Sequence, residues 1–432
     1  MSPNSARPPL TTSASRLARN RYPERGRVRI LLIALVLAVA AGCSNAAAGA
    51  TPAPGGTAAA STAGGSGFPT PGASSNPTPT AAATPPTAAA AAAPCFAAGD
   101  SGPFLASNGS SFTCDGFPVP LTGFTFYPAL IGGARAWHDP NFTTYIDHVL
   151  DMGAAAGQNL IRATDQWDKH ATGQSADDPV VWANMDYLLS AAQKRGVFVV
   201  VDLSAFRWLL MSQGTDPSRT DLWTAFASKV AARYRNSPAV AFYSIAGEPA
   251  PPASKSQLQT LLDFYAATSR AIRAADPNHL ISAGGFNHME DHPEIGWWQA
   301  IDALPGNDVI GVKTYSQHDL DLMPAIATYG RSVGKPVVDE EFGMPQGYGD
   351  GVFAGGAAYN GLASGRGPFF ESVYQNGRSL GFAGFIFWNM GCQTGSTSYE
   401  VSPLTPAVWS VVVRFGAVPA NPQAVSSPAL CR

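Results

Sequence analysis

Two glutamates close largely apolar segments of the sequence, 93 positions apart. Glu248 follows the run from Phe242 to Gly247, and Glu341 ends a second run that begins at Val337. An ionisable side chain after apolar strand residues is expected to be paired or to face a cavity. Two carboxyl groups facing one cavity can act as general acid and nucleophile on a glycosidic bond, and in a retaining enzyme they lie about 5 to 5.5 Å apart. Either glutamate alone is compatible with a salt-bridged strand end, but the two together predict a pair of catalytic carboxyl groups.

The elements that position these glutamates are predicted by alternating short apolar and longer amphipathic segments. Strand candidates are 121–127, 159–163, 197–202, 240–247, 279–283, 308–315, 336–341 and 382–388. Eight such strands with intervening helices predict an α/β fold, a (β/α)8 TIM barrel. The 93 positions then equal three βα units, which places Glu248 and Glu341 on the fourth and seventh strands, at the mouth where such barrels carry their sites.

Two smaller features complete the predicted barrel. The chain from 104 to 120 contains two turn signals, Asn108-Gly109 and Asp115-Gly116, and is expected to form a small N-terminal β-hairpin that covers one barrel end. Helical periodicity in two intervening segments predicts residues of the core, without a function: Val181, Met185 and Leu189, and Leu222, Phe226 and Val230.

Side-chain alternation along the strands predicts which residues face the barrel mouth. In the seventh strand candidate, Asp339 and Glu341 share a face, and Glu340 points the other way, toward a helix or the rim. Pro249 disfavours helical backbone at Glu248, so the fourth strand is expected to continue through Glu248 in an extended conformation.

Further side chains fall on inward faces of the predicted strands. Lys313 and Tyr315 share a face of the sixth strand candidate, and Arg162 and Trp388 lie at the ends of the second and eighth. Arg162 and Tyr315 near Glu341 would lower its pKa and keep it ionised. Trp388 would offer an apolar face to a sugar ring. The alternatives are a structural ion pair for Arg162 and core packing for Trp388.

Other motifs give weaker signals. The segment 287–292, Asn-His-Met-Glu-Asp-His, has two histidines at i and i+4, a metal-binding spacing on a helix, but its flanking glycines and proline favour a loop at the substrate rim. Trp167 and the pair Trp297-Trp298 are candidate sugar platforms or core residues. The sequence contains no phosphate loop, dinucleotide fingerprint or Gly-x-Ser-x-Gly elbow, and no cofactor is expected.

Several motifs together resemble glycoside hydrolase family 5 of clan A, on its cellulase and endo-β-mannanase side. They are the 104–128 segment with Gly-Phe-Thr-Phe-Tyr at 123–127, Asn-Leu-Ile-Arg at 159–162, Gly-Glu-Pro at 247–249, the segment 335–343, and Phe-Trp at 387–388. The resemblance implies a carbohydrate substrate, with Glu248 as acid/base and Glu341, directly before Phe-Gly, as nucleophile.

Three positions depart from the family pattern. Gly247 stands where the family usually has an Asn that contacts the sugar 2-hydroxyl, and Ser204 and Lys313 stand where it usually has His. One interpretation is a site reshaped for a different sugar, with Lys313 binding a carboxylate or another charged substituent. The alternative is a non-catalytic carbohydrate-binding lipoprotein on the same barrel. Lys313 could also merely form a salt bridge with Glu341 or Asp339.

The first 94 residues are unsuited to a folded core, because they contain only two of the 44 aromatic residues. An Arg-rich stretch and an apolar run too short to span a bilayer predict a signal peptide over 1–42. The small residues before Cys43 resemble a bacterial lipobox, which implies lipidation of that cysteine; ordinary secretion is the alternative. Residues 43–94 form a predicted disordered tether, and residues 95–432 the catalytic domain. The expected location is the bacterial cell surface, with membrane contact through the lipid anchor alone.

Charge and cysteine content bound the remaining possibilities. The net charge is −3, but the first 42 residues hold seven Arg and one Glu, so the remainder is near −9 and nucleic acid is not an expected partner. Four cysteines remain after Cys43, and two disulfides are expected in an oxidising compartment. Pairing Cys95 with Cys114 and Cys392 with Cys431 closes the shorter loops. Zinc is disfavoured because no Cys-x-x-Cys pair occurs.

Overall fold

The fold is taken from a computed structural model that describes residues 95–96, 102–128, 133–167, 178–204, 220–349, 359–362, 364–420 and 431. The predicted signal peptide, Cys43 and the tether lie outside these residues. Among the helices that are described, none combines the length and the apolar character needed to cross a bilayer.

Eight parallel strands form the barrel. They are β4 (Leu121–Phe126), β5 (Leu160–Ala163), β6 (Phe198–Asp202), β7 (Val240–Ser244), β8 (Leu280–Ser282), β9 (Ile310–Thr314), β10 (Val337–Phe342) and β11 (Gly384–Phe387). The sheet runs in the order β8-β7-β6-β5-β4-β11-β10-β9. Parallel bridges from Ser282 to Val309 and from Phe286 to Val312 join its two edges. The predicted (β/α)8 barrel is thus confirmed.

Helices follow the barrel strands and cover their outer faces. They are α1 (Thr143–Ala155), α2 (Pro179–Lys194), α3 (Thr220–Tyr234), α4 (Lys255–Ala275), α5 (Trp297–Asp302), α6 (Gln317–Val333), α7 (Arg366–Leu380) and α8 (Pro406–Arg414). Ser254 and Ser316 cap α4 and α6 by accepting hydrogen bonds from backbone amides of the first turn. Gly334 and Gly381 end α6 and α7 in left-handed conformation.

The helix core follows the predicted periodicity in α2 and, except at Leu222, in α3. Val181, Met185 and Leu189 are buried, as predicted. In α3 the buried face starts at Trp223 and continues through Phe226 and Val230, whereas Leu222 is 36% exposed. The prediction for Leu222 was wrong because Trp223, three positions before Phe226, shares its helix face as well as a residue four positions before it would, and the larger indole takes the core position.

The barrel interior has its own apolar core at the amino-terminal ends of the strands, formed by residues such as Leu160, Phe198, Phe242, Val338 and Ile386. A three-stranded antiparallel sheet packs on this core: β1 (Ala106–Asn108), β2 (Ser111–Cys114) and β3 (Phe117–Pro118). It has one strand more than the expected hairpin. Its buried residues Phe112 and Cys114, and Val119 directly after β3, belong to the same cluster, so this end of the barrel is closed and the opposite end carries the polar groups.

Two disulfides are present, Cys95–Cys114 and Cys392–Cys431. This is the pairing that closes the shorter loops. Cys95 and Cys114 are buried beside the barrel floor, so the first disulfide ties the small sheet to the start of the described chain. Disulfides persist in oxidising compartments, which is consistent with an extracellular protein.

Candidate active site

Glu340 and Glu341 both point into the barrel, although they are neighbours in β10. Glu340 accepts hydrogen bonds from Ser244 on β7 and Ser282 on β8, strands that are not adjacent to β10. The expected outward direction of Glu340 was therefore wrong. The pairing of β10 with both neighbouring strands shifts register between Asp339 and Phe342, and such a bulge breaks strict alternation.

Three donors surround the carboxylate of Glu341. Lys313 Nζ lies 2.8 Å from Oε2, Arg162 Nη1 donates to the same oxygen at 2.5 Å, and the Tyr315 hydroxyl donates to Oε1 at 2.5 Å. Burial alone would raise the pKa of Glu341, but the positive charges of Lys313 and Arg162 outweigh it and lower the pKa to about 2. This carboxyl is ionised at any physiological pH.

Arg162 is itself held by a second carboxylate, that of Asp202 at the end of β6. Its Nη2 lies 2.6 Å from Asp202 Oδ2, and both side chains are almost completely buried. An arginine fixed between two carboxylates presents its planar donors in one orientation. Asp202 was not among the predicted site residues, although it closes an apolar strand just as the two glutamates do.

Glu340 lies deeper in the barrel than Glu341. Besides its bonds from Ser244 and Ser282, its side chain occupies space that exists because residue 311 is glycine: a Cβ there would lie 2.2 Å from Glu340 Oε1. Burial raises the pKa of Glu340, and the charge of Arg162 opposes that shift. The two adjacent carboxyls of β10 therefore have pKa values displaced in opposite directions.

Glu248 lies beyond the end of β7, which stops at Ser244. Its φ angle is +55°, so the expected extended conformation was wrong; a left-handed non-glycine residue of this kind is uncommon and is found preferentially at functional sites. The Glu248 amide donates to Gly285 O at 3.0 Å. Asn287 Nδ2 donates to Glu248 Oε1 at 3.2 Å, which brings part of the predicted rim loop into the site.

Lys313 connects the two glutamates. Its Nζ lies 2.8 Å from Glu341 Oε2 and 3.4 Å from Glu248 Oε1, and its side chain is 4% exposed. Two glycines make room for it: a Cβ on Gly285 would lie 2.8 Å from Lys313 Cγ, and one on Gly247 would lie 3.5 Å from Lys313 Cε. The salt bridge considered for Lys313 is present and reaches both carboxylates; Asp339 is not its partner in the described contacts.

Ser204 supports the backbone of the site. Its hydroxyl accepts a hydrogen bond from Gly247 N at 2.9 Å, and its own amide donates to Asp202 Oδ1 at 2.7 Å. Ser204 therefore links the carboxylate that holds Arg162 to the loop that carries Glu248.

Trp388 lies at the carboxyl end of β11, at the same end of the barrel as the glutamates, whereas three other tryptophans are buried. Trp388 follows β11, is half-buried, and stacks on Tyr127 with ring centroids 5.5 Å apart. Trp167 is 1% exposed and packs on Trp182 and Phe226, so of the two predicted roles it has that of a core residue and presents no face to a sugar. Trp297 and Trp298 are also buried. Local sequence could not distinguish a tryptophan in the cleft from one beneath the helices.

The histidine-containing loop does not form a metal centre. Within the described part of the chain, no group of three or more His, Cys, Asp or Glu side chains is arranged to hold a metal ion. His288 and His292 both have positive φ angles and lie in a loop, not on a helix, so the i, i+4 spacing does not bring them onto one face.

Known proteins resemble this chain in sequence and in fold. The family model for cellulase (glycosyl hydrolase family 5) matches residues 112–351. The mannan endo-1,4-β-mannosidases F of Aspergillus clavatus and Aspergillus fumigatus are each 25% identical over 212 residues, which is 41% of this chain and 47% of theirs. The chain thus spans about half the length of these curated relatives.

Solved structures share the fold at lower identity. The endo-1,4-β-mannanase from Rhizomucor miehei has a TM-score of 0.56 at 16% identity, over 72% of this chain and 98% of that one. The exo-β-1,4-mannosidase from Opitutaceae bacterium strain TAV5 has a TM-score of 0.52 at 18% identity, over 74% of this chain and 63% of that one. These likenesses establish a common barrel.

Proposed function

The chain belongs to glycoside hydrolase family 5, and on that premise we propose that it hydrolyses β-linked poly- or oligosaccharides with retention of anomeric configuration. Glu341 is the nucleophile and Glu248 the acid/base of this reaction. The observation that carries the proposal is the placement of both carboxylates around one ammonium group, Lys313 Nζ, at the carboxyl ends of the strands.

The surroundings of Glu341 suit a nucleophile. A carboxylate oxygen has two lone-pair sites. On Oε2 both are used, by Lys313 and Arg162, whereas on Oε1 only the Tyr315 hydroxyl donates among the described contacts. Oε1 therefore keeps a lone pair for attack on the anomeric carbon, and its depressed pKa keeps it available as an anion.

The position of Glu248 suits an acid that protonates the leaving oxygen and then activates water. Its side chain is 32% exposed, compared with 9% for Glu341, so solvent can exchange its proton. Since Lys313 Nζ is 2.8 Å from one carboxylate and 3.4 Å from the other, the two facing oxygens can be no farther apart than the sum of those distances. Oxygens held this near to one another favour the ~5 to 5.5 Å carboxyl separation of retaining enzymes over the ~6.5 to 9.5 Å of inverting enzymes.

The charge balance of the site favours a neutral sugar. Arg162 and Lys313 already face the carboxylates of Asp202, Glu341 and Glu248. A carboxylate on the substrate would add negative charge to a site whose cations are matched, which disfavours the acidic sugar considered from Lys313 alone. Mannan- and glucan-like chains are the substrates we expect, with Trp388 as a stacking surface.

The test begins with reducing sugar released from mannans, glucans and acidic glycans by residues 95–432. Glu341→Gln and Glu248→Gln should each reduce kcat by roughly 1,000-fold or more, as loss of a catalytic group does. NMR of the first product should show retained configuration. After the enzyme is incubated with a 2-deoxy-2-fluoro glycoside, mass spectrometry should find a covalent glycosyl adduct on Glu341. Inverted product, or an adduct on another residue, would contradict the mechanism; binding without turnover, unaffected by both substitutions, would indicate a carbohydrate-binding protein.

The proposed location is the bacterial cell surface, with lipidated Cys43 and a tether of 51 residues from Ser44 to Pro94 that lacks charged side chains. Expression of the full chain in a bacterial host tests this. Cys43→Ala should move the protein from the membrane fraction to the soluble fraction, and an unchanged membrane fraction would contradict lipid anchoring.

A further inference from the structure

We propose that Lys313 donates a hydrogen bond to the substituent on carbon 2 of the sugar whose glycosidic bond is cleaved, and thereby selects substrates with an acceptor at that carbon. The inference rests on the proposed retaining mechanism, in which Glu341 attacks carbon 1. It assigns to Lys313 a contact with substrate in addition to its ion pairs.

The fold builds a dedicated place for the Lys313 side chain. Its stem runs over two consecutive loop ends, and a Cβ at Gly285 would lie within 2.8 Å of Cγ and 3.1 Å of Cε. The missing side chain at Gly247 leaves the end of the stem beside the Glu248 loop. The ammonium group is thereby held between the two carboxylates, at the point where the sugar would bind.

Donor counting leaves one N–H for a ligand. An ammonium group has three donors. One goes to Glu341 at 2.8 Å, a second points to Glu248 at 3.4 Å, and the third has no acceptor among the described residues. Arg162, the other cation at Glu341 Oε2, is fixed between the carboxylates of Glu341 and Asp202.

The position of that N–H follows from which carboxylate oxygen attacks. When Oε1 bonds to carbon 1, Oε2 lies beside one of the two ring neighbours of carbon 1, which are the ring oxygen and carbon 2. Lys313 is bound to Oε2. With Oε2 on the carbon 2 side, the Lys313 ammonium group therefore lies next to the substituent on carbon 2. Lys313 Nζ and Glu341 Oε2 are 2.8 Å apart, so a sugar bound against the Glu341 carboxylate lies beside the Lys313 ammonium group.

The charge of Lys313 also favours substrates with a hydrogen-bond acceptor on carbon 2. Positive charge develops on the ring in the oxocarbenium-like transition state, and a nearby ammonium opposes it. An oxygen on carbon 2 that accepts from Lys313 turns part of this opposition into a hydrogen bond. Contacts to the 2-hydroxyl strengthen in such transition states and can contribute several kcal/mol, so the contact would appear in kcat as well as in KM.

The experiment is a double-mutant-type cycle that combines one substitution in the enzyme, Lys313→Met, with the removal of one hydroxyl group from the substrate. The substrate is the 4-nitrophenyl β-mannobioside or β-cellobioside that the wild type cleaves faster, together with its analogue lacking the 2-hydroxyl on the ring that carries nitrophenyl. For each enzyme the ratio of kcat/KM on the parent to that on the analogue is measured; comparing enzymes cancels the intrinsic reactivity of the two substrates. The wild-type ratio should exceed the Lys313→Met ratio by roughly 100-fold.

The outcomes separate a substrate contact from an indirect role. If Lys313→Met lowers kcat/KM on both substrates equally, Lys313 acts only through the glutamates and the inference is overturned. If circular dichroism shows that this variant does not fold, Lys313→Gln provides the same test. The glutamine side chain is shorter, so its amide cannot contact both Glu341 Oε2 and the substituent on carbon 2. Lys335→Met is the matched control: this lysine binds the Asp302 and Leu304 carbonyls at the start of β10, and its ratio should equal that of the wild type.

Failure of this inference is distinguishable from failure of the proposed function. A wild type that gives retained product and labels Glu341, but whose substrate ratio is unaffected by Lys313→Met, overturns the Lys313 contact alone. A wild type that cleaves neither substrate nor any glycan overturns both.

Discussion

Glu340 and Glu341 are consecutive residues of one strand, yet both carboxyl groups lie inside the barrel. Glu340 is bonded to the Ser244 and Ser282 hydroxyls, and Glu341 to Arg162, Lys313 and Tyr315. The register shift in β10 makes this possible. The Glu340 carboxyl thus accepts hydrogen bonds from strands deeper in the barrel, while the neighbouring Glu341 carboxylate is the proposed nucleophile.

The first prediction concerns Glu340. Glu340→Ala removes the acceptor of two buried hydroxyls and should lower the free energy of unfolding by about 2 to 4 kcal/mol. Glu340→Gln keeps an acceptor oxygen and nearly the same volume, so it should cost less than half as much. Urea unfolding measures both, and equal losses would contradict a hydrogen-bonding role.

The second prediction concerns the acid stability of the Glu341 cluster. The pKa of Glu341 is about 2 in the fold and 4.5 in its ordinary state. A depressed pKa stabilises the fold above the unfolded pKa, and this contribution is lost as pH falls through the folded pKa. The difference in unfolding free energy between wild type and Glu341→Gln should therefore shrink from pH 5 to pH 2. A difference that is constant over this range would show that the pKa is not depressed.

The third prediction concerns the two glycines beside Lys313. A methyl group at Gly285 would lie 2.8 Å from Lys313 Cγ, whereas one at Gly247 would lie 3.1 Å from Gly285 O and 3.5 Å from Lys313 Cε. Gly285→Ala must displace the lysine stem and should lower kcat/KM by roughly tenfold or more, since small misplacements of site groups are costly. Gly247→Ala should have the smaller effect on activity. The reverse order in steady-state assays would argue that the lysine position is unimportant.

The fourth prediction separates two tryptophans. Trp167→Ala should lower the free energy of unfolding by about 3 to 5 kcal/mol, as expected for a large buried aromatic side chain. Trp388→Ala should mainly raise KM, by roughly tenfold, through loss of an aromatic surface. Thermal unfolding and kinetics on the same preparations test this, and a Trp388 variant with unchanged KM would remove it from the substrate site.

The fifth prediction concerns the disulfides, which close loops of 19 and 39 residues. In the chain-entropy model, replacing Cys95 and Cys114 by Ser should lower the free energy of unfolding by about 3 kcal/mol, and replacing Cys392 and Cys431 by about 4 kcal/mol. Guanidinium unfolding of the two double variants measures both values. A larger loss at the shorter loop would point to local packing around Cys95 and Cys114, which are buried.

The sequence alone determined the barrel, the strand-end positions of Glu248 and Glu341, and the cysteine pairs that close short loops. These follow from properties that are local along the chain: hydrophobic periodicity, the length of a βα unit and loop length. Arg162, Lys313 and Tyr315 could be predicted at the mouth for the same reason, because their strands keep regular alternation.

The tertiary structure alone decided the phase of β10, the left-handed backbone of Glu248, the burial of Trp167 and the two partners of Lys313. A register shift depends on how β10 pairs with β9 and β11 together, and Glu248 takes its conformation from a loop whose amide bonds to Gly285. Burial depends on which helices pack over a side chain. Each is set by contacts between residues far apart in the chain, which no local pattern encodes.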